Sequence, residues 1–314
     1  MENLYDVIII GSGPAGLTAS IYTTRSALKT LVLAGEKWGG QLQLTSLVEN
    51  FPGFPEGIQG PDLMLNMRKQ AEHHGAEIKD INFTSGDFTK RPFSIVAGQD
   101  TYKAKAVIIA SGADARWLDV PGEKERIGKG VSSCATCDSM FFRNKNVFIV
   151  GGGDSAMEEA LVLAKVAQKV TLIHRRDSFR ASEIMQQRAK DDPKITFMFN
   201  SVIAEIKGEG RVQSAVIKNS QTGETKELPV DGIFVAIGHI PNTSLFKGID
   251  LDKEGYVAVR DHYHTNISGV FTAGDVHDRS YRQAITAAGF GAAAALEAER
   301  WLSIDGAAVE FKVN

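Results

Sequence analysis

Cys134 and Cys137 are the only cysteines of this 314-residue chain, and two residues separate them. Two thiols at that spacing cannot furnish the four ligands of a structural zinc site, but they can open and close one disulfide. Asp138 follows directly. A neighbouring carboxylate raises a thiol pKa by like-charge repulsion, so its better use is as the acid that protonates a departing thiolate. Asp138 also suits the cap of a helix starting at about Ser139, and the two roles are compatible. The seven histidines are scattered and there is no second cysteine pair, so no metal site is expected.

Two glycine loops flank the thiol pair. Gly11-Ser12-Gly13-Pro14-Ala15-Gly16 follows the apolar run Tyr5–Ile10, and Gly151-Gly152-Gly153-Asp154-Ser155-Ala156 follows Asn146–Val150. Each opens a small-residue helix, to about Thr24 and about Ala167, and a second apolar run closes each unit, Thr30–Leu33 and Val170–Ile173. In a dinucleotide-binding unit the first glycine permits the tight turn and the second lets the backbone approach the pyrophosphate. The third lets helix meet strand, and Ala156 is an allowed replacement there. The phosphates face the unpaired N–H groups of the helix N-terminus. A redox-capable thiol pair between two dinucleotide loops describes an electron-transfer enzyme.

The residues that end each second strand select the nucleotide. An NAD site calls for a carboxylate about 20 residues past the loop to take the ribose hydroxyls. The second unit instead ends His174-Arg175-Arg176-Asp177-Ser178-Phe179-Arg180. Three arginines at this place suit a 2′-phosphate, which a guanidinium fork binds through paired charge-assisted hydrogen bonds, so NADPH is expected. The first unit has only the late Glu36 for a ribose, and Gly274-Asp275, ending a C-terminal apolar strand, is a second source of polar cofactor contacts.

These motifs set the architecture. Val107–Gly112 stands to the first unit as Ile233–Gly238 stands to the second, and Gly269–Asp275 returns the chain to the first domain. The expected fold is α/β, two Rossmann-like domains, one inserted into the other. Residues 1–115 with 246–314 form the first and residues 116–245 the second, with crossings near Ala113–Leu118 and Asn242–Lys247. Continuous apolar strands suit parallel sheets buried on both faces. Hydrophobic residues make up 43% and charged residues 23%, with a net charge of −3, so no basic face announces nucleic acid. No apolar run approaches about 18 residues, which excludes a transmembrane helix. The acidic start Met1–Asp6 is not a signal peptide, and two cysteines are too few for a secreted disulfide framework, so a reducing cytoplasm is expected.

The motifs together resemble the low-molecular-weight thioredoxin reductase family over essentially the whole chain. Cys134–Asp138 and Gly274-Asp275 with Tyr281–Ala284 are the most specific, beside Gly39–Leu42, Glu49–Gly53 and His174–Ala181. The resemblance implies a homodimeric flavoprotein that reduces oxidised thioredoxin, with FAD on the first loop and NADPH on the second. FAD would be held by Gly11, Gly13, Pro14, Ala15, Gly16, Glu36, Gly40, Gln41, Leu42, Asn50, Ala110, Gly112, Gly274, Asp275, Arg282, Gln283 and Ala284. NADPH would be held by Gly151, Gly153, Asp154, Ser155, Ala156, His174, Arg175, Arg176, Arg180, Ile237 and Gly238. It further implies that Cys137 faces the flavin and Cys134 attacks thioredoxin, with Asp138 as acid–base. Departures from the pattern are Ser111, often threonine in the family, and the displaced acid Glu36; neither touches the redox chemistry. The intact arginine cluster argues against relatives that draw electrons from ferredoxin, and the lack of a thioredoxin-like N-terminal extension against the peroxiredoxin-reducing relative. Two other readings share some of these features: a flavin-dependent dithiol oxidase of a small molecule, which would not need the arginines, and a nucleotide-bound redox sensor, which would turn over slowly.

Overall fold

The computed structural model describes residues 3–45 and 47–308. Residues 1, 2, 46 and 309–314, which the expected domain ranges include, lie outside the described residues. The chain divides into two compact units, Met1–Asp114 with Ile240–Asn314, and Ala115–His239. The second crossing therefore falls before Ile240 rather than near Phe246. Phe246 and Ile249 belong to the core of the first unit with Ile8, Ile10 and Val107, and this draws the preceding residues with them.

The first unit is built on a seven-stranded sheet in the order Glu77–Lys79, Thr30–Leu33, Leu4–Ile10, Asp100–Ile109, Phe93–Ala97, Phe83–Asp87, with Val270–Thr272 also on Asp100–Ile109. Asp100–Ile109 forks: its first half pairs antiparallel with Phe93–Ala97, and its second half parallel with Val270–Thr272. The late strand thus joins the sheet begun at the N-terminus. Ile8, Ile10, Leu31 and Leu33 pack into one face, and Val7, Ile9 and Val32 into the other. Burial on both faces explains why these strands read as unbroken apolar runs. Each fully buried Leu or Ile contributes roughly 1.5–3 kcal/mol.

The second unit repeats the plan with five parallel strands, Val131–Ser132, Gly232–Ala236, Asn146–Gly151, Lys169–Ile173 and Ile195–Met198 in spatial order. An antiparallel sheet of Ser201–Lys207, Ser214–Asn219 and Thr225–Pro229 is added to it. The helix after its glycine loop runs Asp154–Ala164, stopping short of Ala167. Beyond it the chain turns, the Val166 and Ala167 N–H groups both donating to the Leu163 carbonyl, and Lys194 Nζ donates to the carbonyls of Ala164 and Ala167 at 2.9 and 3.0 Å. Among the described residues no helix is long and apolar enough to cross a membrane.

Candidate active site

Cys134 and Cys137 are joined in a disulfide, with their Cα atoms 5.3 Å apart. The short helix Ala135–Asp138 between and beyond them is capped by Cys134, whose Sγ accepts the Cys137 N–H at 3.2 Å. Asp138 does not cap the segment after it; its side chain makes no capping bond there, and Ser139–Phe142 is a 3-10 turn. The helix starts at Ala135 rather than Ser139, so Asp138 is its last residue and Cys134 holds the capping position. Burial pushes the Asp138 carboxyl above its ordinary pKa, partly offset by a hydrogen bond with Ser132. The Ser132 hydroxyl also accepts the Cys134 N–H at 3.0 Å, so one serine links the cysteine backbone to the buried acid. Ser132 carries no motif and was invisible in the sequence.

The second glycine loop separates by what each position touches. A Cβ at Gly151 would meet the Ala236 carbonyl oxygen at 2.5 Å, and one at Gly152 would enter the His174 ring at 2.2 Å. At Gly153 it would meet nothing within 4 Å. The fold itself therefore requires the first two glycines, while the third faces open space, as a position reserved for a ligand would. His174 is buried; its Nδ1 lies 2.9 Å from the Gly151 carbonyl and its Nε2 has no partner. Burial holds its pKa below the ordinary imidazole value, with Arg176 and Arg180 adding to the effect. Arg175, Arg176 and Arg180 are exposed. The Arg180 and Ala181 N–H groups donate to the Gly152 carbonyl, and Asp154 accepts from the Ser182 N–H and hydroxyl, both at 2.8 Å. The arginine segment is thus laced to the second glycine loop. Ile237 and Gly238 follow the strand that pairs with Gly151, Gly238 with φ +100°.

The first loop follows the same rule. A Cβ at Gly11 would meet the Ala110 carbonyl oxygen at 2.2 Å, and one at Gly16 the Gly11 carbonyl oxygen at 2.0 Å. At Gly13 it would meet nothing within 4 Å. Several segments close around this turn. A Cβ at Gly40 would come 3.5 Å from Gly13 Cα, and one at Gly274 2.8 Å from Ala15 Cβ. Pro14 occupies the first helical turn. The Asn50 side-chain amide donates to Gln283 Oε1 at 3.3 Å, and Gln41 donates to Asp114 at 2.7 Å. Leu42 packs partly buried beside Leu17 and Leu63. Gly112 has φ +71° and open space before it. Glu36 is exposed and offers its N–H to Asn82 Oδ1.

The C-terminal part of this site holds two groups that sequence reasoning missed. Asp278 is buried; its carboxylate accepts the N–H groups of Ser280, Tyr281 and Arg282 and shapes the turn in which Arg282 takes φ +48° and Ala284 begins the last helix. His277 meets Tyr263 and Phe290 edge-to-face, its Nδ1 without a partner and its pKa lowered by burial to about 4. Asp275 has a buried Oδ1 with no partner, and burial, reinforced by Asp278, raises its pKa to about 7. A buried carboxylate oxygen without a donor is costly unless a ligand completes it. Spacing offered only a Gly-Asp after a strand; burial and the second acid had to come from the fold.

Among the described residues no group of three or more His, Cys, Asp or Glu is placed to hold a metal ion. The model of the pyridine nucleotide-disulphide oxidoreductase family matches residues 5–291. Thioredoxin reductase of Mycolicibacterium smegmatis is 52% identical over 304 residues, 96% of this chain and 98% of the relative. The structure of thioredoxin reductase from Giardia duodenalis has a TM-score of 0.91 at 47% identity, covering 96% of this chain and 99% of that one. That of Lactococcus lactis thioredoxin reductase in its FR conformation has a TM-score of 0.64 at 46% identity, with 96% and 99% covered. The chain belongs to the thioredoxin reductases of the pyridine nucleotide-disulphide oxidoreductase family.

Proposed function

We propose that the chain is an NADPH-dependent flavoprotein that reduces the disulfide of thioredoxin. The observation that carries this reading is the disulfide Cys134–Cys137, closed in the same unit as the second dinucleotide loop. FAD is assigned to the first unit, on Gly11–Gly16, Glu36, Gly40–Leu42, Asn50, Ala110, Gly112, Gly274, Asp275 and Arg282–Ala284. NADPH is assigned to the second, on Gly151–Ala156, His174–Arg176, Arg180, Ile237 and Gly238. The open faces of Gly13 and Gly153 and the unpartnered Asp275 oxygen support those placements. Two electrons from NADPH reach the disulfide by way of FAD when both are bound, and the chain's own residues do the rest.

The Cys137 N–H on Cys134 Sγ favours negative charge there once the pair is reduced, which suits Cys134 as the attacking thiolate. Its attack on one thioredoxin sulfur forms a mixed disulfide and releases the other sulfur as a thiolate. Cys137 then attacks Cys134 Sγ, restoring the internal disulfide and releasing thioredoxin as a dithiol. Two protons must be delivered to the departing sulfurs. Asp138, with its raised pKa, retains a proton closer to neutrality than a solvated aspartate and serves as a donor. His174 supports the loop under NADPH through Gly151 and Gly152, and the three arginines take the 2′-phosphate.

Nicotinamide and the disulfide ride on one unit, and each reaction needs contact of about 3–3.5 Å with the same flavin. The second unit therefore rotates between half-reactions. Two relatives of nearly equal identity to this chain, at TM-scores of 0.91 and 0.64, support such alternatives within the family. The reading includes a homodimer in the cytoplasm. The test is oxidation of NADPH, and of NADH beside it, by the purified flavoprotein with and without oxidised thioredoxin. Fast oxidation that needs thioredoxin and prefers NADPH is expected; a flavin that NADPH leaves oxidised would remove the proposal.

A further inference from the structure

Trp38 immediately precedes the loop Gly39–Leu42, and a cation lies over its ring. The Arg68 guanidinium carbon lies 4.7 Å from the ring centroid. The same guanidinium forks onto Asp80, Nη1 to Oδ1 at 2.8 Å and Nη2 to Oδ2 at 3.1 Å, while its Nε donates to Glu72 at 3.0 Å. A planar group fixed by a carboxylate on one edge presents a rigid face to an aromatic ring. Trp38 also packs partly buried with Leu42 and Phe51 against Leu17, Leu63 and Met64.

The loop it precedes is otherwise held by single contacts: Gln41 donates to Asp114 at 2.7 Å and Leu42 packs partly buried beside Leu17 and Leu63. No residue of the turn Gly40–Leu44 is buried. Gly39 and Gly40 both take positive φ, +91° and +65°, so glycine entropy opposes their order. Gly39 N–H donates to the Ser12 hydroxyl at 2.9 Å, and a Cβ on Gly40 would come 3.5 Å from Gly13 Cα. The start of the segment is tied to the strand end that bears Asp80: Ala34 N–H to the Lys79 carbonyl, Gly35 N–H to the Ile81 carbonyl and Glu36 N–H to Asn82. Arg68 therefore links the two ends of one segment, with Asp80 beside its beginning and Trp38 at the approach to the glycines.

We propose that Trp38 is a positioning residue for FAD, and that Arg68, anchored on Asp80, holds the Trp38 ring so that Gly39–Leu42 stays ordered over the first dinucleotide turn. The inference rests on the assignment of FAD to the first unit. Ordering the loop before the cofactor arrives removes an entropy cost from binding.

The experiment uses the full chain stripped of flavin and titrated with FAD, following flavin fluorescence, with thermal unfolding of the flavin-free protein measured in parallel. Trp38→Leu is expected to raise the FAD dissociation constant about tenfold. Trp38→Phe, which keeps a ring under the guanidinium, recovers most of that loss. Arg68→Met weakens binding in the same direction, and the double variant is no weaker than Trp38→Leu, because one interaction is being removed twice. If Trp38→Leu does not fold, Arg68→Met and Trp38→Phe carry the comparison, since both leave the apolar packing largely in place. Wild-type affinity in the variants, a phenylalanine no better than leucine, or a lowered melting temperature with unchanged affinity would each overturn the proposal. Wild-type chain that takes up no flavin at all would instead remove the FAD assignment itself.

Discussion

The two dinucleotide loops are built alike and finished differently. In both, the first glycine is forced by the carbonyl of a neighbouring strand end, Ala110 or Ala236, and the glycine two positions on faces open space. They part at the segment beyond each second strand. The first unit closes on uncharged acceptors, with the Ala34, Gly35 and Glu36 N–H groups donating to the Lys79 and Ile81 carbonyls and to the Asn82 side chain. The second closes on a buried imidazole and three exposed arginines. The two turns offer the same shape, so on the proposed assignment discrimination between nucleotides falls to the segment behind each.

The steepest way to break the likeness is at the third position of each motif. Ala156 already carries a Cβ in the second loop, whereas a Cβ at Gly16 would press on a backbone oxygen at 2.0 Å. Gly16→Ala should cost more than about 3 kcal/mol of stability in the first unit, because no flexible side chain can give way. Denaturant unfolding of the flavin-free protein measures it. A near-normal midpoint would show that the first loop relaxes as the second has.

The arginine segment comes next. Arg175→Ala with Arg176→Ala removes two charge-assisted partners of a 2′-phosphate, at roughly 1.5–3 kcal/mol each. KM for NADPH should rise about a hundredfold or more while KM for NADH changes little. Equal losses for both nucleotides would put the 2′-phosphate elsewhere and make the arginines a solvated face.

A smaller and more symmetrical effect is expected at the open glycines. Gly13→Ala and Gly153→Ala meet no atom of the chain within 4 Å, so each flavin-free variant should unfold near the wild-type midpoint. Each should lose affinity, about tenfold, for one cofactor only, FAD for Gly13 and NADPH for Gly153. Binding titrations of both variants with both cofactors test this crosswise; loss of the opposite cofactor would reverse the assignment of the two units.

Only part of this likeness was legible in the sequence. Strands such as Val7–Ile10 and Val147–Val150 were readable because burial on both faces leaves an unbroken apolar run, and the glycine spacing located both turns. The thiol pair was readable because nothing else in the chain could use it. Ser132, Asp278 and His277 were not, since their roles arise from neighbours brought together by the fold rather than from spacing. The cap at Asp138 was misplaced because a helix already begins at Ala135, with Cys134 Sγ accepting the Cys137 N–H, so Asp138 lies at its end. The carbonyl at the early end of the helix, Ala164, has its partner in Lys194, thirty residues away, which spacing along the helix could not show.

The smallest effect separates the units by their response to acid. In the first, Asp275 is raised from 3.8 to about 7, so its favourable contribution is complete below pH 3.8 and is lost as pH rises through 7. His277 is lowered from 6.5 to about 4, so its contribution is present above pH 6.5 and is lost as pH falls through 4. Between about pH 4 and 6.5 the two slopes oppose each other, leaving a net change on the order of 1 kcal/mol. In the second unit burial lowers His174 and raises Asp138, so acid below pH 6.5 weakens the glycine loop that His174 supports while Asp138 opposes that loss around the disulfide. Hydrogen exchange of the flavin-free chain from pH 7 to 5, corrected for intrinsic rates, should show protection falling around His174, in Lys169–Ile173 and the loop at Gly151–Gly153, and nearly constant in the first unit. Asp275→Asn should unmask the His277 slope and make the first unit acid-sensitive too, while His174→Asn should flatten the second. If Asp275→Asn leaves the first unit indifferent to acid, the balance between the carboxylate and His277 is not what steadies it.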